Sequence, residues 1–324
     1  MATTTVSKHA ITIQEKALDF SSMNLLTLGG LMLAIGTGWR VVDQFVLGLG
    51  DTWLNIFPSK LFPFLIIIGF FWKYRRGEIA TVLGLSRRSL KAHLAVGILI
   101  GLSISFMIDF GGTIVYALIL DPTYPLHIHV LSPNLLGYMF IFFLTNAFLE
   151  ETLFRGLLQN GFKTRFSPNW AIMISAIVFG VWHAGWPIVN GATGTAAIMQ
   201  MGSMVFFTTI LGVLFGIYYE RFSLGQSLMG PIAVHTIINF ASECFKIGPE
   251  PVIQGPDMMF STPGIMATTL SLFLVIFGAL FLLLWKFKIQ QVETSWSRVS
   301  GYVQTQRGRF HKMETQNNAN PNEE

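Results

Sequence analysis

The chain has one cysteine, Cys244, which excludes an intrachain disulfide and leaves the redox compartment unread. Charge is also scarce. Lys, Arg, Asp and Glu make up 12% of the 324 residues, about half the share of a soluble globular domain. A water-soluble fold is therefore excluded in favour of a polytopic membrane protein. No glycine-rich phosphate loop and no nucleic-acid motif is present, so no nucleic-acid partner is expected. There is no HExxH, the helix-borne zinc motif. No internal repeat is visible, and repeats are the usual mark of a secondary transporter. A cleavable leader is not expected either: the first apolar run begins only at about Met23 and lacks a small-residue cleavage site, so it reads as a span.

What is abundant is apolar surface: 52% of residues are hydrophobic, with 29 phenylalanines. A helix crossing the hydrocarbon core needs about 20 mostly apolar residues. Eight candidates appear, at roughly 23–39, 61–72, 94–120, 135–154, 170–185, 198–219, 227–241 and 265–285. The second is short and holds Pro63; it could begin near Val41 in a broken or partly re-entrant form. The loops test the count. Residues 73–91 carry Lys73, Arg75, Arg76, Arg87, Arg88 and Lys91. Lys163 and Arg165 follow in 161–167, then Arg221, then Lys286, Lys288, Arg298, Arg307, Arg309 and Lys312 after the last span. The alternate loops lack this excess: 121–132 has Asp121 and no Lys or Arg, 186–197 is uncharged, and 242–263 is net acidic. Eight spans with both termini cytoplasmic satisfy the positive-inside rule at nearly every loop. The expected fold is thus all-α, with about eight transmembrane helices. Residues 1–22 form a cytoplasmic segment, 23–285 the membrane domain, and 286–324 a cytoplasmic polar tail that is partly disordered.

Three polar groups interrupt the spans. The first is "AFLEETLFRG", with Glu150, Glu151 and Arg155. Helical spacing lets Glu151 pair with Arg155 at i+4. Glu150 points about 100° away and is left without that partner. The second is "FGVWHAG", with His183, and the third "HTIINF", with His235 and Asn239 one turn apart. Taken singly, an apolar-helix histidine is more often a packing residue than a catalyst. Depth changes that. If the Glu150 helix runs on to Gly161, Glu150 lies roughly 16 Å from the basic loop, His183 roughly 21 Å and His235 roughly 14 Å. All three fall in one slab, which requires a water-accessible cavity. A carboxylate with an imidazole can take a proton from water. A second imidazole and an amide can stabilise an oxyanion. The same Glu and His set resembles half of a zinc site.

The forms EExxxR in "EETLFR", FxxxH in "FGVWH" and HxxxN in "HTIIN", in this order on separate spans, resemble the CAAX protease and bacteriocin-processing (CPBP, or Abi) family of intramembrane proteases. The resemblance covers roughly 135–245. It implies that Glu150 acts with His183 to activate water, that His235 and Asn239 stabilise the oxyanion, that Glu151 and Arg155 support the motif, and that Phe179 lines the site. A divalent metal such as zinc, if used, would fall to Glu150, His183 and His235. Eukaryotic members trim the last three residues of prenylated CAAX proteins, and prokaryotic members are linked to bacteriocin processing, self-immunity and peptide signalling. The expected partner is therefore a membrane-associated peptide or protein, hydrophobic or lipidated. Short loops and compact size point to a prokaryotic plasma membrane.

Rival readings are weaker. "GLGD" at 48–51 has the GxGD form of presenilin-like aspartyl proteases, but a Tyr-Asp pair on a preceding helix is missing. "GQSLMG" is not a rhomboid GxSG. A proton-coupled transporter would suit the buried Glu and His groups, and Asp109 with them. A non-catalytic peptide-binding or immunity protein on the same fold would tolerate the loss of Glu150.

Overall fold

The computed structural model describes residues 20–48, 52–249, 251–252 and 262–319. Twelve α-helices follow in order: α1 (Leu25–Val41), α2 (Pro58–Tyr74), α3 (Leu90–Ser105), α4 (Gly111–Val115), α5 (Pro133–Glu151), α6 (Asn160–Lys163), α7 (Pro168–Trp182), α8 (Trp186–Val189), α9 (Gly194–Ile217), α10 (Met229–Cys244), α11 (Pro263–Lys286) and α12 (Ile289–Ala319). Proline opens α2, α5, α7 and α11, where its missing N–H and fixed φ cost the helix nothing. Asn24 caps α1 through the N–H of Leu26, and Thr262 caps α11 through that of Ile265. Between α5 and α6 lies a π-helical turn, Thr152–Gln159, so 133–163 is one continuous helix with a wide segment in its middle.

Four helical stretches among the described residues are long and apolar enough to cross a membrane: Leu25–Val46, Pro168–Val189, Gly194–Phe222 and Pro263–Lys286. The other four expected spans fall on α2, the α3–α4 region, α5 and α10. These are shorter, broken by π turns, or interrupted by charged and polar side chains that pack inward. The break expected near Val41 belongs to the first span instead, which runs on through a π turn to Val46. The segment expected to be a polar tail is helical from Ile289 to Ala319. The side chain of Asp109, and residues 49–51 of the GLGD stretch, lie outside the described residues.

One feature departs from the all-α expectation. β1 (Ile128–Val130) and β2 (Phe245–Ile247) pair antiparallel, with His129 opposite Lys246. Three residues per strand are too few for an alternating pattern to show. This ladder ties the loop before α5 to the end of α10. At the opposite end of α10, the N–H of Leu228 donates to the carbonyl of Gly84 (2.8 Å), within the basic 73–91 segment. The remaining basic segments also meet one another: Lys163 pairs with Glu220 (2.9 Å), Arg221 donates to Asn169 (2.7 Å), and Lys288 donates to the carbonyl of Arg221 (2.7 Å).

α3 and α10 pack closely because Gly97 and Gly101 are four residues apart on one face, the small-xxx-small arrangement that lets two membrane helices approach. A Cβ on Gly97 would lie 2.7 Å from Ala233 Cβ and from the Gly230 carbonyl, and one on Gly101 2.7 Å from Ile237 Cβ. The partner helix is the one carrying His235 and Asn239. Gly101→Val is therefore expected to cost about 1–3 kcal/mol by overpacking. Thermal unfolding of the detergent-purified protein would register it, and an unchanged midpoint would contradict this packing.

Candidate active site

Three helices bring the polar groups together. α5 ends in Glu150 and Glu151, both fully buried. His183 sits at the C-terminal cap of α7. α10 carries His235 and Asn239 on one face. Glu150 Oε2 lies 3.5 Å from His183 Nε2 and 3.7 Å from His235 Nε2. That oxygen has no hydrogen-bond partner among the described residues. The slab expected from helical depth is thus a single cluster.

The outer nitrogens fix how the two imidazoles are presented. His183 Nδ1 is 2.8 Å from the carbonyl of Phe179. A carbonyl can only accept, so Nδ1 carries the hydrogen. His235 Nδ1 is 2.8 Å from Glu151 Oε1, and this carboxylate also accepts from Arg155 Nη1 at 3.1 Å. His235 Nδ1 is therefore a donor too. In the neutral form of either ring Nε2 is a lone pair turned toward Glu150. An acceptor behind each histidine is the usual way of setting its tautomer and orientation.

Arg155 is 1% exposed. Its guanidinium lies 4.3 Å from the ring centre of Phe179 and 5.0 Å from that of Phe215. Phe215 in turn stacks on His235 at 5.2 Å. Phe179 touches the His183 ring edge-on at 4.6 Å and lines the cavity, as expected of it. The i,i+4 pair of Glu151 and Arg155 is present as read. Its carboxylate has a second task, since it also holds His235.

One expectation needs correction: Glu150 is not left without a partner. Lys60 Nζ, from α2, contacts its Oε1 at 3.0 Å, with the two side chains 5% and 0% exposed. The argument from helical faces considered only partners on the same helix, and this one lies 90 residues away. A signal was available. The second span reaches 17 residues only by taking in Lys60, and a lysine inside a span calls for a counter-charge. Asn146, one turn before Glu150, was also missed; it is 5% exposed, and its Oδ1 has no partner among the described residues.

These groups line a cavity of about 200 Å³. Lys60, Asn146, Glu150, His183, Thr208, His235, Asn239 and Glu243 supply its polar side. Trp53, Phe142, Phe143, Trp186 and Met204 supply an apolar wall and pack as one cluster. The three inward acceptors, Glu150 Oε2 and the two Nε2 atoms, are the ones that could hold a divalent metal. Among the described residues no cluster of three or more His, Cys, Asp and Glu side chains forms a ready-made metal site. Glu150 Oε2 lies near contact with both nitrogens, and a water in the adjoining cavity could donate to two of the three acceptors.

Residues 132–241 match the protein family described as Type II CAAX prenyl endopeptidase Rce1-like. The chain carries an Rce1-like region, consistent with the CPBP family. No curated protein and no solved structure matches the chain. Every motif residue of the cluster lies inside the Rce1-like region: Glu150, Glu151, Arg155, Phe179, His183, His235 and Asn239. Lys60 and Trp53 lie outside it. The Rce1-like region thus supplies the cavity lining from α5, α7, α8, α9 and most of α10, while α2, its preceding turn and Glu243 supply the rest.

Proposed function

We propose that this membrane protein is an intramembrane endopeptidase that hydrolyses a peptide bond in a hydrophobic or lipidated, CAAX-like substrate. The observation that carries the reading is the unpartnered Glu150 Oε2 beside two imidazole nitrogens on the wall of the cavity. Water in the cavity donates one hydrogen to Glu150 and the other to His183. Its oxygen bonds to the substrate carbonyl carbon, the carbonyl π pair moves onto oxygen, and Glu150 Oε2 takes the proton. The tetrahedral intermediate then expels the amine, which takes that proton from Glu150 as the C–N bond breaks. Asn239 Nδ2 donates to the oxyanion, and Glu151 with Arg155 holds His235 beside it. A divalent metal such as zinc would be held by Glu150, His183 and His235, and would supply Lewis-acid polarisation of the water.

The cavity wall supports an apolar substrate segment: Trp53, Phe142, Phe143, Trp186 and Met204 offer no charge to pair. The convergence of Lys163, Arg221 and Lys288 supports eight spans with both termini on the cytoplasmic face, where basic segments belong.

The reading is tested with detergent-purified protein and labelled prenylated CAAX and hydrophobic leader peptides, with and without a chelator. Cleavage by wild type is expected, and the chelator arm decides the metal. Asn239→Ala is expected to slow turnover by roughly two to three orders of magnitude, as for loss of one oxyanion donor. An Asn239→Ala variant as fast as wild type would remove that residue from the mechanism.

A further inference from the structure

Lys60 has more donors than its ion pair with Glu150 uses. An ammonium carries three donors, and the contact with Glu150 Oε1 occupies one of them. The side chain lines the same cavity as Glu150, His183 and Asn239. The neutral imidazoles offer that cavity lone pairs and no hydrogen, because each Nδ1–H is spent on an acceptor behind the ring. Asn239 offers a neutral amide. Two other cations lie nearby, Arg155 sealed between Phe179 and Phe215 and Arg40 over the rings of Trp182 and Trp186, and neither lines the cavity. The positive charge available to the reacting carbonyl is therefore that of Lys60.

We propose that Lys60 is a catalytic residue, whose ammonium donates to the scissile carbonyl oxygen and stabilises the oxyanion. The proposal rests on the endopeptidase reading. Its physical basis is charge conservation in an apolar setting. Before attack, the ammonium is balanced by the Glu150 carboxylate. On attack, the water proton passes to Glu150 and neutralises it, the water oxygen bonds to carbon, and the negative charge appears on the carbonyl oxygen. Lys60 then exchanges one anionic partner for another within the same cavity. The total charge stays constant, and no new uncompensated ion is created where water is scarce. An ammonium already desolvated and already directed at the site pays little reorganisation, which is what makes such stabilisation effective.

The test uses a prenylated CAAX or hydrophobic leader peptide, its aldehyde analogue, which hydrates to a tetrahedral mimic, and the matching alcohol, which does not. Lys60→Met is expected to lower kcat by about 100-fold to 1,000-fold, with KM changed less than about threefold. The aldehyde should lose affinity by a similar factor and the alcohol should not, because only the former resembles the transition state. Lys60→Gln keeps a hydrogen-bond donor for Glu150 without the charge. It carries the same expectation if Lys60→Met fails to fold, and Lys60→Arg should recover part of kcat. An unchanged kcat, or equal weakening of aldehyde and alcohol, overturns the proposal and leaves Lys60 as a packing partner of Glu150. Glu150→Gln runs alongside. If it is inactive while the Lys60 variants remain fast, the endopeptidase reading stands and the proposal alone fails. A silent wild type that binds aldehyde no better than alcohol overturns both.

Discussion

Glu150→Gln is expected to lower turnover by roughly two to four orders of magnitude, the contribution of a positioned general base. Glutamine has nearly the same shape, so the cavity keeps its outline. What it loses is the capacity to take the water proton. Lys60 adds a second effect. With Glu150 neutral, the ammonium 3.0 Å away remains buried without its counter-charge. Removing one partner of a buried ion pair costs about 3–5 kcal/mol. Part of that cost is offset by the amide oxygen of glutamine, which still accepts from Lys60. The variant should thus be inactive and also less stable. Lys60→Met/Glu150→Gln, which removes both charges, should recover most of the lost stability and none of the activity. Thermal unfolding of wild type, both single variants and the double variant gives the coupling directly. Additive stability losses would mean that the ion pair is not formed in the membrane.

The second large effect is expected at Arg155. Arg155→Ala leaves Glu151 as a buried carboxylate with only His235 to receive, again at a cost of about 3–5 kcal/mol. It also opens a void between Phe179 and Phe215, the two rings on either side of the guanidinium. Loss of expression and a lower unfolding midpoint are the expected readouts, with activity falling in proportion to folded protein. A fully stable but inactive Arg155→Ala would contradict this supporting role. Arg155→Lys should recover little, because a lysine does not reproduce the planar stacking between two aromatic faces.

The parts of the site legible in the sequence were those with a period. EExxxR and HxxxN place their partners one turn apart on a single helix, so the pairing of Glu151 with Arg155 and the shared face of His235 and Asn239 could be read directly. The common depth of Glu150, His183 and His235 followed from counting residues to the basic loops. What stayed hidden was tertiary. Nothing near Glu150 in the chain names Lys60, and nothing near His235 shows that Glu151 will receive its Nδ1–H. The Phe179 carbonyl that sets His183 is backbone, and backbone leaves no trace in side-chain patterns. The close approach of α3 and α10 was legible in principle from Gly97 and Gly101, whereas the β1–β2 ladder is too short to announce itself.

The wide π turn at Thr152–Gln159 makes chain length there as consequential as residue identity. One residue of α-helix is about 100° of rotation and 1.5 Å of rise. Deleting a single residue in this stretch while the wide turn keeps its pitch would swing everything beyond it by nearly that angle. Asn160, which donates to the carbonyls of Val82 and Gly156 and to Tyr219, would leave all three behind. Lys163 would turn away from Glu220. The segment between the glutamates and Lys163 can therefore exchange side chains over time, but its residue count is held constant by the phase of the helix on either side.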